Sequence, residues 1–462
     1  MVQRSKPGPL DVCWDHMIPR YPAKPRKLSS EVLSLVTEAL VAETPRIRAL
    51  SLNSLSRRRL RIPVDTLVLS LTQPMPLLQY LSICPSDDEA NLELPAHILA
   101  GGSPLLEKLE LHQSKIPWKS SIFAKLTTLD LGGHRLPASD LPNGSEFLQT
   151  LGGAPLLEHL SLTDVFPLSI ATDVKPAVIA LPHLQELYLE VQNPAQTHSC
   201  IETFHRLSFP KTINFRLYIS YAESAFSSSS PSPLFHTFFK KVSSSGEAKI
   251  ISLCVGSSHD ITLGVKIWYK AIPFDPSDDM FNCMCPTGAL ASSVEIKWHG
   301  TPRRYAPHET IVQEMVKSFD MKHLETIDLR EFTEHKGLAK AIFDSLINST
   351  TLGCLLLSEK NIRAFITCIT SSAFPALRDL GIFDVNLRHL IREDCFWSLV
   401  SALEVRPEKL GRLMIDEGYL FKSEFERLRA VADVMVSTVT YRGISMSDVE
   451  LDYCGVSEDD ED

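Results

Sequence analysis

The chain has 462 residues, 44% of them hydrophobic and 22% charged, with a formal net charge of −10. This is too long for one ordinary core and too apolar for a disordered chain, which leaves several domains or a repeating array. The absence of any run of about 18 apolar residues argues against a helical membrane span.

The first residues are basic but lack an apolar stretch, so no secretory signal is expected and the location expected is intracellular, cytoplasmic or nuclear. The 10 Cys residues form no framework, and in a reducing compartment each is expected as a free thiol. Residues 1–61 carry 12 Lys+Arg against 5 Asp+Glu, whereas the remainder carries 34 against 51. A basic start can meet nucleic acid, but no aromatic residues interleave it, so it reads as a solvated edge with no nucleic-acid partner.

In chain order, the alternation of Leu10, Val12 and Trp14 predicts a short strand. Ser29, Glu31 and the helical spacing of Val32, Leu35, Val36, Ala39 and Leu40 predict a helix that stops before Pro45. Ile47, Leu50 and Leu52 then open a recurring pattern, L-x-x-L-x-L. It returns at Leu78/Leu81/Ile83, Leu106/Leu109/Leu111, Leu126/Leu129/Leu131, Leu157/Leu160/Leu162 and Leu184/Leu187/Leu189. Helices are expected between copies, at 64–72, 95–102 and 146–153. The middle is weaker, with strands expected at 212–220, 248–255 and 293–298 and loops at 227–233 and 273–286. Regularity resumes at Leu324/Ile327/Leu329, Leu352/Leu355/Leu357, Leu377/Leu380/Ile382 and Leu410/Leu413/Ile415, each preceded by a predicted helix: 308–319, 337–348, 361–370 and 394–405. A last helix at 422–436, a strand at 437–444 and a disordered acidic tail complete the reading.

The pattern is the core of a leucine-rich repeat. Copies recur every 20 to 41 residues, enough for a strand and a helix, so each strand can cross over to a parallel neighbour. The fold class expected is α/β: an irregular leucine-rich-repeat solenoid with parallel strands on the concave face and helices on the convex face. Its parts are a basic segment with the first strand and helix at 1–45, the array at 46–450 (irregular at about 200–300), and the tail at 451–462. The regular repeat places Asn or Cys three residues after L-x-L; here those positions hold Ser114, His134, Val165, Gln192 and others, so the turn ladder is expected to be absent or replaced unit by unit.

In L-x-L the leucines point into the core and the residue between them points to the other sheet face. That rule selects Glu110, Asp130, Ser161, Tyr188, Tyr218 and Asp328, with Glu190 and Arg330 at the same parity, as a mixed, somewhat acidic surface for gripping a protein partner. Leu356, Gly381 and Met414 occupy equivalent positions. A monomer is expected. No nucleotide, hydrolase or metalloprotease motif occurs, and Cys283-x-Cys285 is too closely spaced for a zinc pair. No catalytic, cofactor-binding or metal residue is assigned, and a non-enzymatic role is expected.

Residues 94–111, Ile116-Pro-Trp118, 126–131 and 154–162 resemble the fungal F-box-type leucine-rich-repeat proteins, and Pro9-Leu-Asp-Val12 and 45–52 look like that family's first strands. The resemblance covers about residues 9–190 and continues as repeat rhythm alone. It implies an adaptor that presents a bound protein to a cullin-type ubiquitin ligase, docked through an N-terminal F-box helix bundle. No L-P-x-E-type helix opens this chain, so no docking residue carries over, and a ligase adaptor is expected as a partner only if an F-box lies upstream. The alternative is a ligase-independent scaffold.

Overall fold

A computed structural model describes residues 8–15, 30–53, 73–84, 92–94, 103–115, 117–134, 136–170, 178–210, 213–222, 236, 240, 252–258, 262–268, 291–299, 313, 315–319, 321–330, 336–369, 372–383, 395–415 and 422–436. The expected helices at 64–72 and 95–102, the loops at 227–233 and 273–286, the strand at 437–444 and the acidic tail lie outside them. The fold is mixed α/β, with parallel strands in sheets and helices between them. Two compact units divide it, one of residues 1–273 with 277–324 and the other of 274–276 with 325–462.

In the first unit the strands are β1 (Leu10–Asp15), β2 (Ile47–Asn53), β3 (Tyr80–Cys84), β4 (Leu92–Glu93), β5 (Lys108–His112), β6 (Ser114–Lys115), β7 (Thr128–Gly132), β8 (His159–Thr163), β9 (Ile179–Ala180), β10 (Glu186–Val191), β11 (Leu207–Ser208), β12 (Asn214–Ala222), β13 (Ser252–Ser258), β14 (Thr262–Trp268) and β15 (Ala291–His299). The main sheet runs β1-β2-β3-β5-β7-β8-β10-β12-β15-β14-β13. Every pair from β1 to β12, and β12 with β15, is parallel. Helices whose bounds are described there include α1 (Ser30–Glu43), α2 (Gly144–Gly152) and α3 (Thr197–Arg206).

One departure corrects the all-parallel expectation: β14 is antiparallel to both β13 and β15. Only three residues separate β13 from β14, and a parallel crossover needs a dozen or more. The expected strand at 248–255 is β13, shifted, and β14 is a strand the sequence reading lacked.

The proline-leucine motif has a local cause. Leu78 N–H donates to Met75 O, Leu106 to Ser103 O, Leu157 to Ala154 O and Leu184 to Leu181 O, so the first leucine of each copy closes a four-residue turn. Proline sits second in all four, at Pro76, Pro104, Pro155 and Pro182, where its fixed φ suits the turn. The strand then starts on a shared acceptor. Glu107 and Lys108 N–H both donate to Gln79 O, Thr127 and Thr128 to Glu107 O, Glu158 and His159 to Thr127 O, and Gln185 and Glu186 to Glu158 O.

That entrance sets the register, and the register stacks the leucines. Leu50, Leu81, Leu109, Leu129, Leu160 and Leu187 form one row, ending in Phe215. Leu52, Ile83, Leu111, Leu131, Leu162, Leu189 and Leu217 form the next. All are at most 3% exposed, and each contributes about 1.5–3 kcal/mol by leaving water. An aromatic chain packs alongside: Phe123 on Trp118, Trp118 on Phe147 with centroids 5.5 Å apart, and Phe147 on Phe166 at 6.0 Å. Helix α2 delivers Phe147 to it. Asn143 caps the helix by accepting Glu146 N–H at 2.9 Å, and a Cβ on Gly144 would stand 2.9 Å from Ser169 O, so only glycine fits there. Phe204 of α3 lies 4.8 Å from Phe215, which places that helix on the leucine side.

The second unit repeats the device with β16 (Thr326–Leu329), β17 (Cys354–Ser358), β18 (Asp379–Phe383), β19 (Leu410–Ile415) and β20 (Ala432–Val436), all parallel. Its helices are α4 (Lys336–Leu346), α5 (Glu359–Cys368), α6 (Cys395–Glu404) and α7 (Lys422–Val431). Gly353 and Cys354 N–H share Glu325 O, and Arg378 and Asp379 share Gly353 O. Phe343, Phe365 and Phe374 form a buried trio with centroids 5.5 to 6.4 Å apart. The helix expected through residue 436 ends at Val431; Ala432-Asp-Val-Met-Val pairs with β19 instead, as β-branched residues beside an open strand favour. Arg406, 8% exposed, donates to the carbonyls of Ala373, Phe374 and Leu377 at 3.0 to 3.1 Å, and so braces the turn that Leu377 N–H closes on Phe374 O.

Truncating Leu160, 1% exposed, to Ala is expected to lower stability by about 2–5 kcal/mol in denaturant unfolding. Ser161→Ala, on the opposite sheet face, is expected to cost about 1 kcal/mol or less. The reverse order would contradict the facing of β8.

Candidate functional site

The face opposite the leucines carries the alternate positions, and register decides which of them meet. One row runs Ser51, Ser82, Glu110, Asp130, Ser161, Tyr188, Arg216. Below it run Tyr80, Lys108, Thr128, His159, Glu186 and Asn214; above it, Gly132, Thr163, Glu190 and Tyr218. Ser51 and Ser82 are buried, whereas Glu110, Asp130, Ser161, Tyr188, Glu190 and Tyr218 are half-buried.

Six of the eight residues selected from sequence therefore share one surface, with one change of place. Tyr218 is expected beside Tyr188, between Leu217 and Ile219; both of those are buried, but the residues opposite Leu187 and Leu189 are Phe215 and Leu217, and Ile219 pairs with Val191. Arg216 stands next to Tyr188, exposed, and Tyr218 stands next to Glu190. Arg216 is the residue the sequence reading missed, because a phenylalanine holds the place of the first leucine.

The polar groups on this face are linked across strands. Tyr80 Oη donates to Glu110 Oε2 at 2.8 Å, and burial pushes its phenol above the ordinary value. His112 Nε2 lies 3.6 Å from Asp130 Oδ2. The Asp130 carboxylate raises the His112 imidazole above its ordinary value of 6.5; burial opposes this, and the charges of Asp130 and Glu110 add to it. Burial pushes the Asp130 carboxyl up, but His112 and Ser161 beside it outweigh that and leave it below the ordinary 3.8. His159 Nδ1 is 3.2 Å from Glu186 Oε2. Glu190 is held at both oxygens, by Tyr188 Oη at 2.6 Å and Gln192 Nε2 at 2.7 Å.

At the strand ends the turn groups are satisfied by residues outside the regular Asn position. Asp164, 2% exposed and at φ 52°, accepts Gln192 and Asn193 N–H through Oδ1 at 2.7 and 3.0 Å, and its Oδ2 is 2.8 Å from His134 Nδ1. Gln196 Oε1 accepts Phe166 N–H at 2.8 Å, and Asn361 Nδ2 donates to Leu329 O at 2.8 Å. At these described turns Asp164, Gln196 and Asn361 supply the bonds, and His134 belongs to that scaffold.

The second unit's equivalent row is Asp328, Leu356, Gly381, Met414. Asp328, Leu356 and Met414 are 1–2% exposed, and a Cβ on Gly381 would stand 2.6 Å from the Phe383 ring and 2.8 Å from Leu356. The sequence rule expects Asp328 and Arg330 as surface contacts. Instead they bind each other, with Arg330 N at 2.9 Å and Nη2 at 3.0 Å from the carboxylate, and the guanidinium lies 4.7 Å from the Phe383 ring centroid. Cys354, in the flanking row, is buried, and burial pushes its thiol up to about 12, far from a reactive thiolate at neutral pH.

Among the described residues, no three His, Cys, Asp or Glu side chains are grouped to hold a metal ion, and no helix is long and apolar enough to cross a membrane. Cys283 and Cys285 lie outside those residues. The arrangement on the first unit's sheet offers carboxylates, phenols and one exposed guanidinium in fixed rows, which is chemistry for hydrogen bonding to another molecule.

Asp164→Ala is expected to lower stability by about 2–4 kcal/mol, because two backbone N–H groups lose their acceptor. Asp164→Asn, which keeps an acceptor and tolerates the left-handed φ, is expected to cost less, read by chemical unfolding. The His112–Asp130 pair gives a pH dependence. The raised imidazole contributes stability that is fully present below 6.5 and is lost as pH rises through its folded-state value. The lowered carboxyl contributes stability present above 3.8 and lost as pH falls through its folded-state value. Thermal unfolding across pH should show the wild-type advantage over His112→Gln largest between those limits and shrinking above neutrality.

No protein-family model matches the chain, and no curated protein matches its sequence.

Proposed function

We propose that the protein is a non-enzymatic interaction module, a leucine-rich-repeat-like array that binds a protein partner on the polar face of the first unit's sheet. The observation that carries this reading is the register: Glu110, Asp130, Ser161, Tyr188 and Arg216 fall in one row, flanked by Glu190 and Tyr218. Half-buried tyrosines and an arginine held on a rigid sheet lose little freedom on binding, and such residues carry most of the energy in protein interfaces.

The resemblance of residues 94–162 to fungal F-box-type proteins supports a specific role, recognition of a substrate for a cullin-type ubiquitin ligase. A ligase-independent scaffold uses the same face and needs no adaptor.

Both roles meet one test. Tagged full-length chain is used to recover partners from cells, beside an Asp130→Arg/Tyr188→Ala variant and a Lys340→Ala control on the exposed side of α4. The double variant is expected to weaken partner capture by about tenfold or more, with the control unchanged. Capture that survives the double variant would contradict the assignment of this face. Co-recovery of a ligase adaptor and cullin supports the substrate-recognition role, and a partner recovered without them supports the scaffold.

A further inference from the structure

Among the groups on the polar face, His112 has a seat built for it. A Cβ on Gly132, the paired residue on β7, would stand 2.3 Å from His112 Nδ1 and 3.1 Å from its Cγ, so the imidazole lies across β7 in the space a side chain would fill. From that seat Nε2 reaches Asp130 Oδ2, two residues back on the same strand, at 3.6 Å. Both side chains keep about a third of their surface exposed, 35% and 33%, so protons and solvent reach them.

We propose that His112 is a proton-operated clamp on the binding face: protonated, it holds the Asp130 carboxylate and ties β5 to β7; neutral, it releases that carboxylate to a partner. The proposal rests on the binding face described above and adds its regulation.

Few other groups compete for the proton. On its own strand His112 has Glu110, whose Oε2 already accepts from Tyr80, and beyond it Lys108. β7 offers Asp130 alone, since its other outward positions are Thr128 and Gly132. β3 contributes Tyr80 and Cys84. β8 contributes Ser161, Thr163 and His159, the last 3.2 Å from Glu186 of β10. Among the described residues, each carboxylate near His112 except Asp130 is therefore engaged elsewhere or lies a strand further away. The raised imidazole fits this geometry, because proton uptake by His112 is favoured mainly by the Asp130 carboxylate.

The test needs no partner, so its failure is separate from failure of the binding reading. His112 is assigned by comparing histidine Cε1–H NMR signals of the full chain with those of His112→Gln, and it is titrated in wild type and in Asp130→Asn. The midpoint is expected above 6.5 in wild type and lower in Asp130→Asn. In parallel, amide exchange across β5 and β7, corrected for its intrinsic pH dependence, is expected to be about threefold slower at about pH 5.5 than at about pH 8, with the difference gone in His112→Gln. A midpoint that Asp130→Asn leaves unmoved, or an exchange difference that persists in His112→Gln, overturns the clamp. A midpoint shift without an exchange difference overturns it too, because the pair would then titrate without tying the strands.

Discussion

Two backbone N–H groups converging on one carbonyl oxygen at the entrances of β5, β7, β8, β10, β17 and β18 are the interaction on which the rest depends. Gln79, Glu107, Thr127 and Glu158 accept in this way in the first unit, and Glu325 and Gly353 in the second. A strand that begins on a fixed acceptor cannot slip by one residue, and a one-residue slip would turn every leucine toward the polar face. Before β5, β8, β10 and β18 a turn closed by the first leucine with proline second delivers the chain to that acceptor. Leucine rows, aromatic packing and the outward rows all follow from this repeated start.

The same backbone device produces two different outward faces. In the first unit the alternate positions hold carboxylates and phenols that are linked at Tyr80–Glu110, His112–Asp130 and Tyr188–Glu190 and stay half-exposed, beside the exposed Arg216. In the second they hold Leu356, Gly381 and Met414, and the charged groups described there are paired with each other: Asp328 with Arg330, which lies over Phe383, and Asp379 with Arg412 at 2.8 Å. Parity alone assigns a residue to a face; side-chain chemistry decides whether that face stays open to a partner. This is why the proposed binding surface is confined to the first unit.

Much of this was legible in the sequence. Leucine spacing located β2, β3, β5, β7, β8 and β10 and the four regular strands from β16 to β19, because a buried row tolerates few other residues. On β12 it placed Leu217 and Ile219 in the core and Tyr218 facing outward, as they are, but missed that Phe215 stands for a leucine, so Arg216 and not Tyr218 lies opposite Tyr188. It lacked β14, since a strand in an antiparallel hairpin needs no leucine pattern, although the three-residue connection to β13 was there to be read. The replacement of the Asn ladder by Asp164, Gln196 and Asn361 was legible only as an absence: each acts across a turn on a backbone group some 30 residues away. The mutual pairing of Asp328 and Arg330 was hidden because sequence parity does not show what a side chain touches.

The outward rows depend on register, and register at the edge of the proposed binding row is measurable. Adjacent strands lie about 4.8 Å apart, so cysteines at paired positions are within disulfide reach, whereas positions offset by two residues are separated by about 8 Å and are not. With the exposed Cys13 replaced by Ser, Tyr188→Cys with Arg216→Cys should form a disulfide under mild oxidation, and Tyr188→Cys with Tyr218→Cys should not. Cross-linking of the second pair and not the first would put Tyr218 beside Tyr188, displace Arg216 from the row, and contradict the face described here.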